Sequence, residues 1–320
     1  MKKTSAGWSV TLIALVTVTG LSNAAECGLE EEFEQTNIKV KAGITPIWAH
    51  PQRLSVFFES SLNTNTDGTR RSYSIDDFWG KKTALNNLCN AMTDACSGLN
   101  DEPSLRKRRE TTQKQAANGW PNVKITHISP HIIAFGKDGK PCPPIDGYLI
   151  SATALHKRKH VACSPDAYID ALKVPALVVP GRPDKRIPTW FESNGVVPGD
   201  LVVAIGPRGD HVYGVVGDSG PSKKLGEASI SMNGQLLGKT EEPKNYQQIR
   251  GREGGSGWEV SRASVLIFPN TRRAGDPYMT APEIEAAAKD RFSAWGGPDR
   301  LKACIVEYRA KTDQAGQRAR

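Results

Sequence analysis

Apolar and polar positions alternate most regularly between Gly199 and Met232, where the chain reads GDLVVAIGPRGDHVYGVVGDSGPSKKLGEASISM. Two β-rich runs, Leu201 to Ile205 and His211 to Val216, flank Gly206-Pro207-Arg208-Gly209-Asp210, a turn by composition. A third run puts Ala228, Ile230 and Met232 on one face and Glu227, Ser229 and Ser231 on the other, the period of a half-buried strand. Further strands are predicted over 45–58, 123–135, 148–154 and 265–268. Ala176 to Val179, a continuous apolar run between Pro175 and Pro180, reads as a buried strand. Leu85, Leu88 and Met92 fall at helical spacing and predict a helix over 81–97. Thr280 to Glu283 forms a capping box for a second helix, which ends at Trp295 before Gly296 and Gly297. Asn100 to Asn118 lacks apolar periodicity and reads as a solvated insertion, and the last dozen residues read as a frayed tail.

Short strands punctuated by turns, with few helices, predict a mainly β fold. A closed or nearly closed barrel is the natural way for such strands to protect their edges. The chain shows no repeat, low-complexity run or proline-rich linker, so 26–320 reads as a single domain with an elaborated part from 239 onward. Its first 25 residues carry Lys2 and Lys3, an apolar stretch from Val10 to Val18, and small residues at Ser22, Ala24 and Ala25. That is the pattern of a secretory signal peptide, too short in its apolar part to span a bilayer. A secreted product, extracellular or periplasmic, is the expectation.

Six cysteines suit an oxidising compartment. Sequence order suggests Cys89 with Cys96, Cys142 with Cys163 and Cys27 with Cys304, among the many connectivities six cysteines allow. No C-x-x-C pair occurs and the histidines are scattered, which argues against structural zinc. The formal charge of +8 invites a nucleic-acid reading of Arg106 to Arg109 and of His156 to His160. Neither run has interleaved aromatics or an accompanying motif, so both read as solvated faces. Ser151 lies outside any G-x-S-x-G elbow and is not read as a nucleophile. It shares a predicted strand face with Thr153, where two hydroxyls could bind sugar.

The candidate chemistry lies in the opening stretch. Asp218 and Glu227 are flanked by glycines at 214, 217, 220 and 226, which in strands mark bulges or close approaches. Two carboxylates facing one groove are what glycosidic hydrolysis needs, one to protonate the leaving oxygen and one to activate water or attack carbon.

GDSGPSKKLGEASI, preceded by GDLVV, resembles the active-site segment of the glycoside hydrolase family 75 chitosanases. FFESSLNTNTDGTRRSYS at 57–74, ALNNLCNA at 84–91, GYLISATAL at 147–155 and AYIDALKVPALVVPG at 167–181 follow the same family in order, so the resemblance covers roughly 50–238. It implies an endo-acting, inverting hydrolase of β-1,4-linked glucosamine that uses Asp218 and Glu227 together. Analogy with the D-x-G turn of other barrels assigns Asp218 as general acid and leaves Glu227, on its polar strand face, as base, an assignment the sequence leaves open to reversal. Substrate contacts are expected from Asp67, Tyr73, Tyr148, Ser151, Thr153 and Ser229. No metal or cofactor is implied. The expected partner is the polysaccharide alone, with no nucleic acid or membrane, and the protein is expected to act as a monomer. By analogy with wall-degrading hydrolases that carry a similar D-x-G turn, the barrel is expected to be six-stranded and double-psi-like. Two other readings stay open: a hydrolase of peptidoglycan glycan or chitin, and a wall-binding module without chemistry. Because chitosan is a polycation and the chain is basic, attraction is expected from local acids, with Glu59, Asp67, Asp76 and Asp77 set against Arg70 and Arg71.

Overall fold

The computed structural model describes residues 26–93, 96, 101–159 and 161–318. The proposed signal peptide, its cleavage site and His160 lie outside the described residues. Ten strands form: β1 (Glu30–Thr36), β2 (Ile44–Ala49), β3 (Val56–Asn65), β4 (Tyr73–Ser74), β5 (Tyr148–Leu149), β6 (Ala176–Pro180), β7 (Leu201–Ile205), β8 (His211–Gly220), β9 (Glu227–Ser229) and β10 (Val260–Phe268). The helices are α1 (Glu102–Ala117), α2 (Trp190–Ser193), α3 (Ile230–Leu237), α4 (Tyr246–Ile249), α5 (Ala281–Trp295) and α6 (Gly297–Arg318).

Six strands close in the order β3-β10-β7-β8-β6-β9, with β9 returning to β3. The pairs β6/β8 and β3/β9 are parallel and the other four antiparallel. Exchanging β3 with β8, β6 with β9 and β7 with β10 leaves every neighbour and direction unchanged. The barrel is thus two interlocked three-strand halves related by a pseudo-twofold, as the double-psi expectation calls for. The hairpin β1–β2 extends outward from β3, and β4 with β5 makes a separate small ribbon.

Period-two alternation sorts the barrel residues. Phe58, Leu62, Leu177, Val202, Val216, Val265 and Ile267 fill the interior. Phe57, Val203, Val215, Leu266 and Phe268 point outward, where Ile284, Phe292 and Trp295 of α5 and Leu301 of α6 bury them. The three disulfides pair as sequence order suggested: Cys27–Cys304, Cys89–Cys96 and Cys142–Cys163.

Several local expectations are overturned. The segment predicted as a helix over 81–97 forms only a 3-10 turn at Leu88–Ala91 among its described residues. Its polar side chains compete for the backbone: Asn87 caps the turn, and the Asp77 carboxylate accepts from the amides of Lys81, Lys82, Thr83 and Ala84. The supposed insertion at 100–118 is instead helix α1, capped by Asp101 and burying little beyond Thr112 and Ala116. Its Arg, Lys, Glu, Gln and Ala favour helix intrinsically, without an apolar stripe to announce it. Residues 123–135 form a 3-10 turn and loops in place of a strand, and 148–154 keeps only β5 and an isolated bridge at Ser151. The strand predicted over 45–58 is divided by a turn into β2 and the start of β3. The alternating run 227–232 breaks after Ser229, whose hydroxyl accepts from the Met232 amide and caps α3. The tail is helical, and Arg309 within it holds the Glu59 carboxylate.

Candidate active site

Val178 of β6 is the centre of the candidate site. Its partner in β8 is Asp218 and its partner in β9 is Glu227, so both acids flank one residue and share its face. Leu177 pairs with Val216 and with Ala228, and all three are interior; Val178 and its two acidic partners therefore face out of the barrel. Regular alternation from Val216 would turn Asp218 inward. The register skips Gly217, a bulge that re-aims Asp218 onto the outer wall. A Cβ on Gly217 would lie 2.7 Å from that of Ala176, so only glycine fits the bulge.

Asp67 comes from the turn after β3. It accepts a 2.8 Å hydrogen bond from the Tyr73 hydroxyl at Oδ1, and its own amide donates to Asn65 Oδ1 at 2.6 Å. Gly68 (φ 86°) completes the turn, and a Cβ there would stand 1.7 Å from the Ile169 carbonyl oxygen. Burial pushes the Asp67 carboxyl up to about 8; the Asp218 and Glu227 charges push the same way, against the Tyr73 hydrogen bond. Burial likewise raises Asp218 to about 7, despite amide hydrogen bonds from Ala154 (2.9 Å) and Ser219 (2.8 Å). Both amides reach Oδ1, and Oδ2 has no hydrogen-bond partner among the described residues. Both residues are only partly covered, so the carboxyls are crowded and still reachable.

Glu227 has a different environment. Its Oε1 lies 2.6 Å from Lys39 Nζ in an ion pair largely withdrawn from solvent. The loop after β1 that carries Lys39 is held by Asn37, which is fully buried. Asn37 Nδ2 donates to Thr45 Oγ1 and to the Leu225 carbonyl, while its Oδ1 accepts from the Lys39 amide. The Ile38 amide donates to the Lys223 carbonyl, pinning the loop to the connection that leads into Glu227. Among the described residues, no group of three or more His, Cys, Asp or Glu is placed to hold a metal ion.

No family model matches the chain, and no curated protein matches it.

The structure brings Asp67, Asp218 and Glu227 together, with Tyr73 supporting the first. Three predicted sugar-binding hydroxyls turn out to be engaged within the fold. Ser151 Oγ accepts from the Gly68 amide and donates to Ser72 Oγ; Thr153 Oγ1 accepts from the Ile169 amide and donates to the Leu155 carbonyl. Ser229 Oγ accepts from the Ala176 amide and donates to the Val174 carbonyl. Ser151 ties down the turn that carries Asp67, Thr153 links Leu155 to Ile169, and Ser229 holds the start of β6; Thr153 and Ser229 also line the cleft beside Asp67 and Asp218. Tyr148, bonded through its hydroxyl to Thr83 Oγ1, lines a second and larger pocket of about 280 Å³ beside Gly68 and Ser151.

Two of the acids expected along the groove are engaged elsewhere. Glu59 is buried between Arg262, Arg309 and Ser264, and Asp77 organises the loop at 81–84. Sequence reasoning missed Lys39 and Asn37. Nothing in the run NIKVKAG signals that a lysine there meets a glutamate 188 positions away.

Proposed function

We propose that the protein is an exported glycoside hydrolase that cleaves β-1,4-linked glucosamine in chitosan by an inverting mechanism. The observation that carries this reading is the pairing of Asp218 and Glu227 on either side of Val178 in unlike environments. Two strand spacings set their backbones roughly 10 Å apart. That is compatible with the about 6.5 to 9.5 Å between carboxyl groups that leaves room for an attacking water.

Asp218, raised to about 7, keeps its proton near neutrality and acts as the general acid toward the leaving oxygen. Glu227, ion-paired with Lys39, acts as the carboxylate that takes a proton from water. Asp67 stands beside them with its carboxyl raised to about 8, and its proton lets a third acid sit in the site without adding a negative charge. A wall-binding module without chemistry has no need of raised carboxyls gathered on one face. The disulfides support an oxidising destination for the chain.

The test is to incubate residues 26–320 with soluble chitosan, chitin and peptidoglycan and to assay reducing ends. Chitosan should be cut with the α-anomer appearing first by NMR. Asp218→Asn and Glu227→Gln should each lower kcat by at least the roughly 10² that a positioned acid or base supplies, with unchanged circular dichroism. Cleavage of peptidoglycan alone would transfer the same acids to the rival polymer. No cleavage of any polymer would end the hydrolase reading.

A further inference from the structure

The larger pocket opens one residue beyond Asp67. Gly68 and Ser151, joined by a 2.8 Å hydrogen bond from the Gly68 amide, form part of its wall. Ile145, Tyr148 and Pro165 give it apolar surface, and its about 280 Å³ is on the scale of a small-ligand site. Its charges are unequal in availability. The Arg71 guanidinium is tied to the carbonyls of Thr83, Pro243 and Lys244 and to Glu242, and Arg70 is paired with Asp166 at 2.6 Å. Asp166, which contacts the guanidinium, and then Asp170 and Asp146 through their charges all act to hold Arg70 in its charged form. Asp170 is itself paired with Lys173. The Asp146 carboxylate is exposed on the pocket wall and has no hydrogen-bond or ion-pair partner among the described residues.

We infer that this pocket is a subsite for a cationic amino sugar, with Asp146 as the counter-ion of its ammonium group and Tyr148 packing on the ring. The inference rests on the hydrolase reading and extends it to substrate selection. A polymer lying across Asp218 and Glu227 passes over the Asp67–Gly68 turn and seats its next units here. A free amine gains an ion pair with Asp146; an N-acetylated unit brings no charge to it. An overall basic protein can in this way hold a cationic unit, through one unpaired carboxylate on a wall whose two guanidinium groups, Arg70 and Arg71, are already engaged, and distinct from the acids engaged at Glu59 and Asp77.

The experiment measures binding without turnover. Residues 26–320 carrying Asp218→Asn are titrated calorimetrically with a glucosamine hexamer and with its fully N-acetylated counterpart, with and without Asp146→Asn. Asparagine tolerates the positive φ of 51° at this position, so the loop keeps its shape. Asp146→Asn should weaken the glucosamine hexamer about threefold to fivefold, the scale of one exposed ion pair. It should leave the N-acetylated hexamer unchanged, and 1 M salt should erase the difference. Tyr148→Ala should weaken both. Equal effects of Asp146→Asn on the two hexamers, no effect on either, or no binding of the glucosamine hexamer would overturn the inference. Discrimination by binding in a protein whose parent cleaves nothing would keep the subsite and reject the hydrolysis.

Discussion

At the scale of single residues, the site is governed by where protons are held. Asp67 and Asp218 are raised, chiefly by burial, to about 8 and about 7. Activity that needs Asp218 protonated should therefore fall as pH rises through about 7, which a kcat/KM profile on soluble oligomers checks. Stability carries the same sign. Between the unfolded carboxylate value of about 3.9 and these folded values the native state binds more protons than the unfolded chain, so unfolding free energy declines as pH rises across that window. Asp67→Asn keeps an acceptor for the Tyr73 hydroxyl and removes the charge that must form at high pH. It should raise Tm at pH 9 by a few degrees, about what 1 kcal/mol gives in a chain this size, and raise it less at pH 5. Lys39 makes the complementary case. Lys39→Met should lower kcat by roughly tenfold, about 1.4 kcal/mol of transition-state stabilisation, and Lys39→Arg should restore most of it, because the cation holding Glu227 is what matters. Equal loss in both variants would assign Lys39 to the loop and not to the carboxylate.

At the scale of elements, legibility followed the source of each element's stability. Strands β6, β7 and β8 are buried on both faces or alternate strictly, so their apolar residues declared them. Helix α5 declared itself by its cap, with the Glu283 carboxylate accepting from the Thr280 amide and hydroxyl. Helix α1 did not, because its stability lies in propensity and the Asp101 cap and hardly in burial. The segment 81–93 misled in the opposite way: Leu85 and Leu88 are buried at helical spacing, yet the side chains of Asp77, Asn86 and Asn87 accept from amides a helix would use. The proposed pair was singled out by the resemblance of its segment to a family, because acids in a glycine-rich turn are by themselves more often solvated, whereas the bulge that aims one of them needed strand register. That bulge gives a test. Gly217→Val forces a side chain against Ala176 and should destabilise the fold by about 1 to 3 kcal/mol, the range of an overpacked site. Turnover should drop much further than the folded fraction does, since Asp218 follows Gly217 directly. Activity that tracks the folded fraction alone would mean that Asp218 keeps its aim without the bulge.

At the scale of the whole molecule, the barrel divides its outer wall between two uses. Strands β8 and β9 carry Asp218 and Glu227 on either side of β6, and β3 leads into the Asp67 turn, while α5 and α6 cover the outward residues of β7, β10, the first part of β3 and, at Val215, β8. Two long-range ties hold that covering in place. Cys27–Cys304 joins the segment before β1 to α6 across 277 positions. Glu59, almost fully buried, is clasped by Arg309 of α6 at 2.8 Å and by Arg262 of β10, with the Ser264 hydroxyl as a third donor. Arg309→Ala should then lower stability without disturbing catalysis, because Glu59 keeps Arg262 and Ser264 but loses one cation; a loss of about 1 to 3 kcal/mol is the scale of a charged hydrogen-bond partner removed from a buried acceptor. Replacing Cys27 and Cys304 together by serine removes a cross-link that restrains most of the unfolded chain, and should lower stability by about 2 to 5 kcal/mol. Because both ties lie on the helix-covered wall, the folded double variant should retain wild-type kcat at low temperature and lose it at a lower temperature than the parent, read by thermal melts alongside assays over the same range. A fall in kcat well below the melting transition would instead couple the covered wall to the acids, and the shared strand β3, which carries Glu59 near its start and leads into the Asp67 turn at its end, would be the route.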